Sequence, residues 1–137
     1  MTNAQEGGAC MEDSELIALA AQVRERAYAP YSHYMVGAAL LGTSGRVYTG
    51  CNVENGVYPL GLCAEKAAVA KAVSEGERQF VAIAVVTEDG GTPCGACRQV
   101  LSEFGLDIRV IVASMSGEKR TFTVGELLPE AFTLARR

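Results

Sequence analysis

Apolar residues return at helical intervals from Leu16 through Leu19, Ala20 and Val23 to Ala27, which lays one apolar stripe along an amphipathic helix. Asp13 or Ser14 is the expected N-cap, and Pro30 the expected stop. After the polar stretch YAPYSHYM the pattern changes. VGAALL and RVYTGCNV flank GTSG and predict two strands joined by a hairpin turn. NGVYPLG has turn chemistry and leads into an Ala-rich helix from about Cys63 to Glu75, closed by Gly76. FVAIAVVT is an unbroken run dominated by β-branched residues, the pattern of a central strand covered on both faces. Beyond the loop EDGGTP, a second helix is expected from Cys94 to Phe104, ended by Gly105. IRVIVAS follows as another buried strand, and TFTVGELLPEAF as a short strand with a helical turn. The alternation of strand and helix over residues 46–114 calls for crossover connections, at least three parallel or mostly parallel strands, and helices packed outside them. The expected fold class is therefore α/β, a three-layer α/β/α sandwich.

Composition narrows this picture. The 137 residues suit one domain with a real core. Residues 1–11 read as a disordered tail, and 12–137 as the single domain. Lys plus Arg number 12 against 16 Asp plus Glu, a net charge of −4, so no broad positive field exists to gather polynucleotide phosphates. No window approaches the about 18 uncharged apolar residues of a membrane span. The first residues, MTNAQEGGACMED, lack a basic start and apolar run. A cytoplasmic protein is expected, with neither a nucleic-acid nor a membrane partner.

Five cysteines, an odd number, without an export signal argue for reduced thiols, and grouped thiols of that kind more often bind metal. Cys10 reads as a silent free thiol and Cys51 as a small buried hydrophobe. The other three stand apart. Cys63 opens one predicted helix, and Cys94 and Cys97 open the next as Cys-x-x-Cys. Helices entered from neighbouring strand ends lie on one sheet edge, which brings the three thiolates together. Three protein ligands are the complement of a catalytic zinc site, four that of a structural one. Three thiolates around a divalent ion leave a net charge of −1. Helix N-termini, Arg98 and Lys66 are the candidates to compensate it. Glu65, two residues after Cys63, is the candidate acid–base carboxylate. Simpler readings exist. Cys-x-x-Cys alone also fits a redox pair or half of a structural zinc site, Glu65 alone a solvated helix start, and His33 is an ordinary loop histidine away from the cysteines.

Four segments, YAPYSHYMVGAAL, GCNVENGVYPLGLCAE, PCGACRQV and ELLPEAF, together resemble the zinc-dependent cytidine deaminase family of the small homotetrameric type, over about Leu16 to Phe132. The resemblance implies a five-stranded mixed sheet between helices, one zinc ion per subunit on Cys63, Cys94 and Cys97, and Glu65 as proton shuttle for attack on C4 of the pyrimidine. It implies ribose contacts from Asn52 and Glu54, and a base pocket formed by Tyr34 and Ala64. Tyr58 and Phe132 are implied to complete sites across subunit interfaces of a homotetramer. The expected activity is hydrolytic deamination of cytidine and 2′-deoxycytidine. Three positions depart from the family pattern: Lys66 where arginine is common, Tyr34 where phenylalanine is usual, and Gly56 for a commoner alanine. A deaminase for another cytosine compound such as blasticidin S is the nearest alternative. A non-catalytic zinc module and a redox protein are the alternatives of other classes.

Overall fold

The computed structural model describes residues 11–134; the expected tail, apart from Met11, and Cys10 lie outside that range. Helix α1 spans Asp13–Arg24. Its N-cap is Glu12, one residue before the expected cap, and the Glu12 N–H donates to the Glu15 carboxylate at 2.9 Å. The helix ends well before Pro30, so Ala27 lies beyond it. The cause is a competing backbone pairing: the Tyr28 N–H donates to Asn52 O at 2.9 Å and the Glu54 N–H to Tyr28 O at 2.8 Å. Met11 is partly buried against the core beside α1.

Strands β1 (Gly37–Gly42) and β2 (Val47–Cys51) form the predicted hairpin, with Gly45 at φ 92° where the turn needs a residue without Cβ. A 3₁₀ turn at Tyr58–Leu60 precedes helix α2 (Ala64–Ser74). Then follow β3 (Phe80–Thr87), α3 (Gly95–Ser102), β4 (Arg109–Ser114), β5 (Lys119–Thr123) and the short α4 (Val124–Leu127). The strand order is β2-β1-β3-β4-β5. Strand β1 is antiparallel to both neighbours, β3 and β4 are parallel, and β5 is antiparallel on the edge. Strands β2, β3 and β4 thus share a direction, as the alternation requires, yet only one neighbouring pair is parallel. The short hairpin inserts β1 between β2 and β3 and makes the sheet mixed.

Residues of one strand point alternately to the two faces, and both faces are covered. Ala38, Leu40, Ile83, Val85, Val110 and Val112 meet Ala68 and Ala72 of α2 and Leu101 of α3. Ala39, Leu41, Ala82, Ala84, Val86 and Ile111 meet Leu16 and Ala20 of α1. This second face is mostly small, which lets α1 approach closely: a Cβ on Gly37 would stand 2.0 Å from the Ala20 carbonyl oxygen. Each buried Leu or Val contributes about 1.5–3 kcal/mol by leaving water. No helix among the described residues is long and apolar enough to cross a membrane. Because β2 and β3 run the same way, the segments leaving them, 52–63 and 88–94, emerge at the same sheet edge.

Candidate active site

At that edge Cys63 is the N-cap of α2, Cys94 the N-cap of α3, and Cys97 lies in the first turn of α3. Their sulfurs all lie within 4.8 Å of one another, and among the described residues no fourth Cys, His, Asp or Glu joins the group. A tetrahedral zinc ion at about 2.3 Å from each sulfur needs sulfurs about 3.8 Å apart, so this trio matches a single zinc ion with little adjustment. The donor set is that of a catalytic site. Cys97 is fully buried, Cys63 half-buried and Cys94 exposed. Hydrogen bonds from the Cys97 and Cys94 thiols, with the Lys66 ammonium nearby, outweigh burial and bring Cys63 down to about 6. Donation to Cys63 and burial push Cys97 up. The three thiols thus favour a thiolate at Cys63, and a divalent ion, which binds thiolates, would displace protons from the group.

Glu65 lies in the first turn of α2 and is only 4% exposed. Burial raises its pKa, and the negative charge on Cys63 adds to the effect. A carboxyl of this kind holds a proton more readily than a surface glutamate, as a group that both gives and takes protons near neutrality must.

A cleft of about 460 Å³ opens over the trio. Its lining includes Cys63, Cys94, Cys97, Ala64 and Glu65 at the base and Asn52, Glu54, Tyr34 and Tyr58 above. Nine of the twelve residues singled out in the sequence are thus brought together. Asn52 and Glu54 are fixed by the loop before β1. The Val36 N–H donates to Asn52 Oδ1 at 2.9 Å, and Asn52 Nδ2 donates to Tyr34 O at 2.8 Å. Glu54 Oε1 accepts from the Tyr31 and Ser32 N–H groups at 3.0 and 3.1 Å, and its other oxygen accepts from the Ser32 hydroxyl. The Ser32 hydroxyl is the main reason the Glu54 carboxyl stays below its ordinary range, against a smaller opposing effect of desolvation. Ser32 was not foreseen, since a serine in a polar loop carries no distinguishing pattern.

The remaining three residues line no part of the cleft. Lys66 is half-buried on α2, and its charge favours the Cys63 thiolate. Arg98, expected to compensate ligand charge, gives its hydrogen bonds elsewhere: Nε to Pro93 O at 2.7 Å, Nη1 to Leu127 O at 2.8 Å and Nη2 to Thr92 Oγ1 at 2.9 Å. It ties the turn before Cys94 to the end of α4, because its planar fork spans acceptors that a point charge could not. Phe132 is 67% exposed, and its carbonyl accepts from Gln99 Nε2 at 3.4 Å. Tyr58 is exposed too and stacks edge-on against Tyr31, with ring centres 6.0 Å apart. Cys51 is only half-buried at the end of β2, so the reading of it as a core residue is corrected. His33, at φ 59°, donates its N–H to Ala29 O and stays outside the sulfur group. Gly56 acquires a reason: a Cβ there would stand 3.2 Å from the Tyr31 hydroxyl, so the smaller residue leaves room for that tyrosine.

Two thiol-bearing helix starts at one edge of a mixed five-stranded sheet, with a buried carboxyl beside them, define a zinc-binding α/β protein built for catalysis. The family model for the cytidine and deoxycytidylate deaminase zinc-binding region matches residues 11–115, and the chain belongs to that family. A cytidine deaminase of Sporosarcina psychrophila is 48% identical over 126 residues, spanning 90% of this chain and 93% of that one. One from Halalkalibacterium halodurans is 51% identical and spans 90% and 96%. The crystal structure of cytidine deaminase from Burkholderia pseudomallei superposes with a TM-score of 0.87 at 48% identity, covering 89% of this chain and all of that one. The Mycobacterium tuberculosis enzyme superposes with a TM-score of 0.80 at 43% identity, covering 90% and 99%.

Proposed function

We propose that the protein hydrolytically deaminates cytidine and 2′-deoxycytidine, giving uridine or 2′-deoxyuridine and ammonia. The observation that carries this reading is the trio of cysteine sulfurs within 4.8 Å at the base of a cleft that also presents the buried Glu65. Cys63, Cys94 and Cys97 hold zinc, which when bound supplies the Lewis acidity that lowers the pKa of a water molecule from about 15.7 to about 7. Glu65 handles the protons. It takes one from the water as the C4–O bond forms and delivers it to N3 of the base. It then takes the second from the new hydroxyl and delivers it to the exocyclic amine as the C4–N bond breaks, so that both water protons are accounted for. Asn52 and Glu54 bind the ribose hydroxyls as a donor and acceptor pair held by the 31–36 loop. Tyr34 and Ala64 form walls of the base pocket.

The same reading carries an assembly of several chains. Tyr58 at the cleft and, outside its lining, Val57, Leu60 and Phe132 are 74%, 59%, 68% and 67% exposed, and exposed apolar side chains of this kind support an interface between subunits. A homotetramer in which Tyr58 and Phe132 reach a neighbour's site accounts for them. Reduced thiols at the metal centre suit a cytoplasmic location.

The test is a turnover screen of cytidine, deoxycytidine, cytosine, cytidine monophosphate and blasticidin S, with zinc measured on the same sample and sedimentation giving the chain count. Cytidine and deoxycytidine are expected as substrates. Preference for blasticidin S or a phosphorylated substrate would overturn the substrate reading. Glu65→Gln is expected to keep fold and zinc while activity falls about 10²–10⁴-fold or more; an unaffected rate would leave a module whose metal is only structural.

A further inference from the structure

Tyr34 lines the cleft, and its hydroxyl proton goes to a neighbouring loop. The hydroxyl donates to Asp89 Oδ1 at 2.7 Å, across 55 positions of sequence. Asp89 stands in the 88–93 segment that leads directly into Cys94. The same Asp89 oxygen accepts from Thr87 Oγ1 and the Gly91 N–H, each at 3.3 Å. Thr87 Oγ1 in turn accepts from the Gly90 and Gly91 N–H groups at 2.8 and 3.0 Å. The turn is thus knotted on itself, and Tyr34 hooks into the knot. On its other side Tyr34 is held by its backbone. Its N–H donates to Ser32 Oγ at 3.0 Å, and its carbonyl accepts from Asn52 Nδ2 at 2.8 Å. Beneath the same two loops the buried Arg24 donates to Met35 O at 3.1 Å and to Glu88 at 3.3 Å. The hydrogen bond from Tyr34 is the first cause holding the Asp89 carboxyl below its usual range.

We propose that Tyr34 is a positioning residue, whose hydroxyl bond to Asp89 latches the 31–36 loop to the turn before Cys94 and so fixes the pocket wall against which the base lies. A phenylalanine would offer the same ring without the latch. Because the hydroxyl proton is committed to Asp89, the hydroxyl has none to donate to a ligand. It lowers the freedom of two loops that substrate binding would otherwise have to order. The inference rests on the deaminase reading for its kinetic part and on geometry alone for its structural part.

The experiment compares Tyr34→Phe, Asp89→Ala and the double variant with the parent protein, by steady-state kinetics on cytidine and by hydrogen exchange of the 88–93 segment. Each single change is expected to raise KM about three- to tenfold, the size of one ordinary net hydrogen bond, since this one is exposed to solvent, with kcat altered less. The double variant should be no worse than Asp89→Ala, since both changes break one bond. Exchange at Gly90 and Gly91 should quicken in Tyr34→Phe, whether or not cytidine is the substrate. An unchanged exchange rate in Tyr34→Phe overturns the latch. So do single effects that add in the double variant, or a Tyr34→Phe effect on kcat alone. A protein that turns over no cytidine yet shows the quickened exchange keeps the latch and overturns only the substrate reading.

Discussion

Gly50 offers the sharpest test of how the fold places the chemistry. It lies in β2 beneath the first turns of α2, where a Cβ would stand 2.6 Å from Ala68 N and 2.7 Å from Ala64 O, against 3.4 Å for ordinary contact. The shortfalls, 3.4 minus 2.6 and 3.4 minus 2.7, are about 0.8 and 0.7 Å. Both obstructing atoms are helix backbone, so no side chain can swing aside; the helix must ride up or the strand must bend. Replacing Gly by Ala gains about 0.4–1 kcal/mol through the unfolded chain, but overpacking a tight contact costs about 1–3 kcal/mol. The second effect wins, leaving Gly50→Ala less stable by about 0.5–2 kcal/mol. In a domain of this size that lowers Tm by about 2–10 °C. The kinetic effect is larger in proportion. Helix α2 carries Cys63 at its cap and Glu65 in its first turn, and a displacement near 1 Å at a catalytic group costs on the order of 10²-fold in rate. Thermal denaturation, zinc content and kcat/KM for cytidine, followed by the fall in ultraviolet absorbance, are measured on the same preparation. A Gly50→Ala protein with parental Tm and kcat/KM within threefold would refute the reasoning, because it would show that α2 can yield without moving Glu65.

Two further outcomes follow from the same contacts. Arg98→Lys keeps the charge but cannot reach Pro93 O, Leu127 O and Thr92 Oγ1 together; it should lower stability by about 1–3 kcal/mol and quicken zinc loss to a chelator, and an unaltered release rate would show that the tie is idle. Glu77 sits under opposing influences: burial would raise its pKa, but hydrogen bonds from Ser44 and Tyr48 and the Arg46 charge together lower it. A carboxyl depressed in the folded state stabilises above its unfolded pKa of about 4.3 and loses that contribution as pH falls through the folded value. Glu77→Gln should therefore lower stability at pH 7 by about 1 kcal/mol or less after solvent screening, read as a lower Tm, and the gap to the parent should narrow as acidity passes pH 4; a gap that stays constant into acid would remove the charge from the explanation.

The chain's own pattern revealed much of this, and the failures have definite causes. Strand and helix identities followed from periodicity, because FVAIAVVT and IRVIVAS have only one comfortable environment, a sheet covered on both sides. The order of strands did not follow, since which side of the hairpin joins β3 is decided by packing between distant faces. Helix α1 was read too long because Ala27 keeps the apolar spacing while Tyr28 is claimed by backbone groups at 52–54, a pairing that no local window contains. The sulfur trio was legible because Cys-x-x-Cys at a helix start is a short-range pattern, and the topology supplies the long-range partner. Ser32 and Asp89 were not, because the contacts that tie them to the site reach partners 22 and 55 residues away.

The contrast between Lys66 and Arg98 shows what the site asks of its surroundings. Both were expected to offset thiolate charge, yet Arg98 is committed to two carbonyls and a hydroxyl, and Lys66 is the cation that acts on Cys63. With three thiolates on a divalent ion the net charge is −1, and two helix N-termini, each worth about half a positive charge, nearly cancel it before any side chain contributes. Cys63 and Cys94 stand at the N-cap positions of α2 and α3, so both sulfurs lie at the positive ends of those helices. A fork-shaped guanidinium is then not required beside the ligands, and a point charge at Lys66 suffices. Arg98 is left to do what only arginine does well, holding three separate acceptors in one plane. The division of labour follows from where the fold puts its basic side chains: Lys66 acts on Cys63 through its charge, and Arg98 ties the turn before α3 to the end of α4.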